Sequence, residues 1–225
     1  MIESSEFEKQ LPISRERSFN TLLVKEVYRY NNLLQIILSN LGNTLAMIEG
    51  HKQLDTETEN TFECLQIERT PRPWLEQSYP GHQNLISYLD NLKLRVHYIR
   101  TLITQCAFKQ EFPIRRFWFP GFFNQKNFLT TLLQYESRRT GVAIENLIVD
   151  YKVLRKNEKP LSDKDATTKN VFYLKGMILF GARYNQDLRA LEDLTSKDRI
   201  GQELPPVELK VRKFRELYRN RELLT

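Results

Sequence analysis

From Ser18 to Ile48 apolar residues recur at steps of three and four: Phe19, Leu22, Leu23, Val27, Tyr30, Leu33, Leu34, Ile37, Leu41, Leu45 and Ile48. That periodicity predicts one long amphipathic helix, with Ser18 as its N-cap, Gly42-Asn43 as a candidate break, and Gly50-His51 closing it. A second seam, Leu85, Leu89, Leu92, Val96, Ile99, Ile103 and Cys106, predicts another long helix, suited to pack on the first and ended by Pro113. Between them, Thr70-Pro71-Arg72-Pro73 and Tyr79-Pro80 read as loop or short helical turns. A third helix is expected over Asn124 to Arg139, with Phe128, Leu129, Leu132, Leu133 and Tyr135 on its apolar side.

After Thr140-Gly141 the period changes to two. Leu147, Val149, Tyr151 and Val153 alternate with Asp150 and Lys152, and Val171 to Phe180 is also β-prone. Two strands joined by a polar loop from Lys156 to Lys169 follow from this pattern. A short helix is expected over Asn185 to Leu194, and a last strand at Val207 to Val211 after Pro205-Pro206. The fold class is therefore α+β, an N-terminal helical bundle followed by strands. The boundaries expected are an extension over 1–17, a helical subdomain over 18–140, a β-rich subdomain over 141–211, and a basic helix or tail over 212–225.

Composition changes this picture little. The 225 residues suffice to bury a core without metals or disulfides. No apolar run approaches the roughly 20 residues of a bilayer span, so no membrane partner is expected. The first ten residues carry Glu3, Glu6 and Glu8 and lack a signal-peptide pattern; with two cysteines, Cys64 and Cys106, the expected compartment is the cytoplasm. The net charge of +6 is mixed along most of the sequence, but Lys210, Arg212, Lys213, Arg215, Arg219 and Arg221 outnumber the acids after Val207. Such a tail could meet an acidic partner, although a solvated helix face accounts for it as well.

Candidate chemistry is sparse. Gly176 and Gly181 have the separation of a phosphate loop, but Ala182-Arg183 follows, and none of the eight glycines precedes a lysine. His51, His82 and His97 are widely separated and neither cysteine has a paired-ligand spacing, so no metal or other cofactor is expected. The segment Phe117-Trp118-Phe119-Pro120-Gly121-Phe122-Phe123 is the densest aromatic run. Beside Arg115 and Arg116 it could stack nucleic-acid bases, but a buried turn set by Pro120-Gly121, with Phe122, Phe123 and Phe128 in the core, is favoured. Trp118→Ala is expected to cost about 3–5 kcal/mol if its ring is fully buried.

These segments, in this order, resemble the C-terminal domain of dynein heavy chains. Ser18-Phe19-Asn20-Thr21-Leu22-Leu23 and Arg29-Tyr30-Asn31-Asn32-Leu33-Leu34 are similar to the family's opening helix. Trp74 with Ser78-Tyr79-Pro80 resembles its tryptophan and SYPS segment, Gly81 replacing the usual Ser. Phe117 to Gln125 with Phe128-Leu129-Thr130 is close to FWLSGFFFPQAFLT, Pro120 standing where Ser is usual. Gly176 to Tyr184, with Gly181 and Arg183, resembles GLFLEGARWD, and Leu204 to Val207 resembles the PMPV step. The family's later strands and its CPVYKT motif have no counterpart after Val207, so an incomplete β-barrel is expected.

The resemblance implies a non-catalytic structural and regulatory part of a microtubule motor. Its partners would be the ATPase ring modules of a heavy chain and other dynein subunits, with microtubules reached indirectly. The expected location is the cytoplasm and cytoskeleton, including the ciliary axoneme. Without ring, linker or stalk, the protein alone is expected neither to hydrolyse ATP nor to walk. A free-standing interaction module derived from a dynein gene, and a basic nucleic-acid-binding domain, are the alternatives.

Overall fold

The computed structural model describes residues 11, 17–53, 55–79, 81, 84–106, 112, 114–155, 158–188, 190–195 and 201–214. Helices α1 (Ser18–Ile48), α2 (Thr56–Gln66), α3 (Arg72–Glu76) and α4 (Leu85–Cys106) come first. Strand β1 (Arg116–Trp118), helix α5 (Gln125–Thr140), strand β2 (Leu147–Val153) and helix α6 (Asp163–Lys169) follow. Strands β3 (Phe172–Lys175), β4 (Ile178–Phe180), β5 (Ala182–Asn185), β6 (Ala190–Asp193), β7 (Gly201–Glu203) and β8 (Val207–Lys213) complete the order. The protein divides into two compact units, one of Met1–Ile13, Asn20–Ala107 and Gly121–Asn124, the other of Ser14–Phe19, Phe108–Pro120 and Gln125–Thr225.

In the first unit α1 runs unbroken through Gly42, although a helical glycine costs roughly 1 kcal/mol; it is anchored by the buried apolar positions that precede Gly42, up to Ile37. It ends where Gly50 takes φ +76°, letting the His51 N–H reach back to the Ala46 carbonyl at 2.8 Å. Leu22, Leu23, Val27, Tyr30, Leu33 and Ile37 are among its buried positions. Helix α2 is absent from the sequence-based expectation, since TETENTFECLQ carries few apolar residues. It starts at Asp55, whose carboxylate accepts the Thr58 N–H at 2.8 Å and hydroxyl at 2.9 Å. Pro71 and Pro73 flank the start of the one-turn α3. In α4 the buried line is Tyr88, Leu92, Arg95, Ile99, Leu102 and Cys106.

The second unit is built on a four-stranded sheet in the order β1-β3-β8-β2. Strand β1 pairs in parallel with β3, while β8 is antiparallel to both β3 and β2, with Tyr151 opposite Leu209. The strands expected at 147–153 and 171–180 are thus separated by the last strand. The polar loop expected between them contains α6, started by Ser162, whose hydroxyl accepts the Asp165 N–H. The helix expected at Asn185 to Leu194 is a hairpin, β5 with β6. Leu188, Leu191 and Leu194 mimic a helical period, but the Asn185 carboxamide accepts the N–H groups of Asp187 and Leu188 and turns the backbone at once. Strands β4 and β7 form another two-stranded ladder. Among the described residues none of these sheets closes on itself, which fits the α+β class with a partial barrel.

The core of the second unit is aromatic. Phe117 lies between Phe128 at 4.9 Å, Phe19 at 5.7 Å and Phe112 at 6.3 Å between ring centroids. Phe112 in turn meets Tyr135 and Phe172 edge-on.

Candidate functional site

The aromatic signature divides between the two units. Phe117 and Trp118 belong to the strand unit, where Phe117 is fully buried. Trp118 is only partly buried, so the condition attached to its replacement by alanine is not met. Its ring instead covers Gly176, where a Cβ would stand 2.6 Å from the indole Cδ1 and Nε1. Gly176 also has φ +81°, so both its backbone and the overlying ring require glycine. Phe128, from α5, packs on Phe117.

Gly121, Phe122 and Phe123 belong to the helical unit. The Gly121 carbonyl accepts the Tyr30 hydroxyl at 3.0 Å. Phe122 is fully buried and meets the Tyr98 ring edge-on at 6.1 Å. Phe123 stands edge-on to Tyr30 and Tyr79 at 5.3 and 6.0 Å. Its N–H is taken by the carboxylate of Glu26, a fully buried side chain that also pairs with Arg29 at 2.9 Å. Burial raises the Glu26 carboxyl above its ordinary value, against the opposing pull of the Phe123 N–H and Arg29.

Tyr79 stacks with Tyr88 at 6.0 Å, and the Arg95 guanidinium lies over its ring at 3.7 Å. Burial pushes the hydroxyls of Tyr30, Tyr79 and Tyr88 up, which keeps all three neutral. Pro80 lies outside the described residues. Trp74, almost wholly buried, donates its indole N–H to Asn40 at 3.0 Å and so ties α3 to α1.

Gly181, at φ +78°, leads into β5 rather than into a helix, so the Gly176 to Gly181 segment has no helix N-terminus to offer a phosphate. Arg183, in β5, pairs with Glu192 of β6 at 2.8 Å and braces the hairpin. Among the described residues no group of three or more His, Cys, Asp or Glu side chains could hold a metal ion.

Two features escaped the sequence. One is a polar network in the strand unit: Arg139 pairs with buried Glu136 at 2.7 Å, Glu136 accepts the Asn170 amide at 2.6 Å, and Asn170 accepts from Arg115 at 3.1 Å. Arg115 also lies over the Phe172 ring at 4.4 Å, so it braces the core rather than presenting itself to bases. The other is an open groove of about 770 Å³ on the sheet, lined by Phe119, Val149, Tyr151, Leu174, Leu191, Leu209 and further apolar residues, with Lys152 its one charged member.

The sequence pattern of the C-terminal domain of the dynein heavy chain matches residues 2–222. The protein belongs to that family. Among relatives of this dynein C-terminal domain, dynein axonemal heavy chain 1 of Mus musculus is 33% identical over 184 residues, covering 82% of this protein and 4% of the relative. Dynein axonemal heavy chain 12 of Mus musculus is 30% identical over 178 residues, 79% of this protein and 5% of the relative. Dynein axonemal heavy chain 3 of Mus musculus is 26% identical over 203 residues, 88% of this protein and 4% of the relative. The dynein C-terminal domain described here thus spans only 4–5% of the length of these relatives.

Proposed function

We propose that the protein is a non-catalytic structural and regulatory region of a dynein heavy chain, part of an ATP-driven, minus-end-directed microtubule motor of the ciliary axoneme. The observation that carries this is the fate of the family's aromatic signature. Phe117, Phe122 and Phe128 are wholly buried, and Gly121, Phe123 and Gly176 are each fixed by a backbone or ring contact. These residues hold a scaffold in shape and leave no reactive group poised toward a substrate. What the scaffold presents is apolar surface: the groove of about 770 Å³, with Tyr151 73% exposed at its edge strand, suits coverage by protein rather than a polar substrate.

The partners of such a surface are the ATPase ring modules of the heavy chain and other dynein subunits, and microtubules are engaged only through them. ATP turnover then resides elsewhere in the heavy chain. The names of the three relatives above are axonemal, which supports a cytoskeletal, ciliary location. Affinity capture of the tagged protein from ciliated cells, followed by mass spectrometry, tests this. Heavy-chain ATPase modules and other dynein subunits should be enriched over a tag-only control. A reproducible set of companions without any dynein subunit would contradict the proposal and favour a free-standing interaction module.

A further inference from the structure

We propose that the groove between α1 and α4 in the helical unit is a docking site for an acidic amphipathic helix. This goes beyond the motor proposal and does not depend on it.

Helix α1 carries two apolar lines. Leu33, Ile37 and Thr44 lie on the buried line. Beside it run Leu34, Leu38, Leu41, Leu45 and Ile48, at steps of four, three, four and three, the spacing of a helix-packing seam. The fold leaves that seam open: Leu38 and Leu45 are each 56% exposed and Ile48 60%. From Leu34 to Ile48 the seam extends about 21 Å along the helix, enough for roughly four turns of a partner. A Cβ at Gly42, next to Leu38 and Leu45, would meet nothing within 4 Å, so the ground beside the seam is low and clear.

At its Leu34 end the seam opens into a groove of about 390 Å³ lined by Leu34, Ile37 and Val96, with Lys93, His97 and Arg100 contributed by α4. Charge selects the occupant. From Tyr30 to Ile48, α1 contains no charged residue; Glu57 of α2 meets α1 at Asn40, 3.3 Å away, while the charges that line the groove itself, Lys93, His97 and Arg100, come from α4. There the basic side chains recur at steps of four and three on one line. Asp90 offsets Lys93 at 3.6 Å at one end, while His97 and Arg100 continue the rim beyond it. At the far end of α1, Glu49 stands 4.0 Å from His51. A helix with leucines facing the seam and glutamates facing α4 satisfies both surfaces. A second copy would bring basic rim toward basic rim, and a flat bilayer would not enter a groove.

The test uses the full-length protein and two labelled synthetic four-turn peptides with identical leucine seams, one flanked by glutamates and one by lysines. Binding is followed by fluorescence anisotropy at low ionic strength. The glutamate peptide should bind, and the lysine peptide should bind at least about tenfold more weakly. Leu38→Glu and Leu45→Glu should each weaken the glutamate peptide by about tenfold or more, as expected for central anchors. Because both positions are exposed, their unfolding midpoints should match the parent's, which separates lost docking from lost folding. The double reversal Lys93→Glu with Arg100→Glu should invert the preference toward the lysine peptide.

Equal binding of the two peptides, or a preference that survives the reversal, overturns the proposal. So does a concentration-dependent dimer in sedimentation velocity that Leu38→Glu dissolves, since a second copy would then own the seam. Binding to phosphatidylserine vesicles without binding to either peptide overturns it as well.

Discussion

Gly176 shows how far one residue can be constrained by its surroundings. Its left-handed backbone excludes side chains on conformational grounds, and the Trp118 ring 2.6 Å from an added Cβ excludes them on packing grounds. Gly176→Ala is therefore expected to cost about 2–4 kcal/mol, combining left-handed strain with an overpacked contact, and a urea midpoint shift would measure it. Glu26 supplies a prediction in pH. Its carboxyl is raised above 4.5 by burial, so at low pH it is protonated in both the folded and the unfolded state. As pH climbs past 4.5 the unfolded state releases that proton first, and the contribution of Glu26 to stability falls until its raised folded value is passed. Glu26→Gln keeps a carbonyl for the Phe123 N–H but cannot ionise. Urea midpoints of variant and parent should thus diverge in the variant's favour as pH rises through this window; parallel midpoints would contradict the assignment. Aromatic density and the Pro120-Gly121 turn marked Phe122, Phe123 and Phe128 as core; Phe122 and Phe128 are fully buried, while Phe123 is half-buried. The sequence could not mark Glu26 or Asn170, whose partners lie 97 and 34 residues away and depend on the completed fold.

At the scale of elements, long apolar periodicity was readable and short polar segments were not. Helices α1, α4 and α5 lie within a residue or two of where the apolar steps place them, because each carries apolar residues at helical spacing over several turns. Helices α2 and α6 depend on end capping by Asp55 and Ser162 more than on an apolar stripe, so periodicity passed over them. Strand β1 has three residues and gains its place only by pairing with β3, far along the sequence. The one-turn α3 is too short to be stable by itself. It is held by Trp74, whose ring is buried and whose N–H reaches Asn40 on α1. Trp74→Ala should cost about 3–5 kcal/mol in urea unfolding, whereas Trp74→Phe, which keeps most of the packing and loses the hydrogen bond, should cost less than half of that. Equal losses would mean that the hydrogen bond, not the ring, holds α3.

For the whole molecule, the order of the signature segments carried the resemblance to the family, and the structure gives several of them a mechanical task. Aromatics fill two cores, glycine admits a tryptophan ring, and a buried carboxylate and a tyrosine hydroxyl hold the Gly121 to Phe123 turn. Among the described residues the seam of α1 and the open sheet groove are exposed apolar surfaces, and neither was visible as such in the sequence, because exposure is decided only when the other elements have packed. The proposed role is that of a body that supports a motor while energy conversion resides elsewhere. Steady-state ATP turnover by the purified protein is the sharpest check: phosphate release should be no faster than in protein-free buffer. Turnover proportional to protein concentration, and retained through a further purification step, would contradict it.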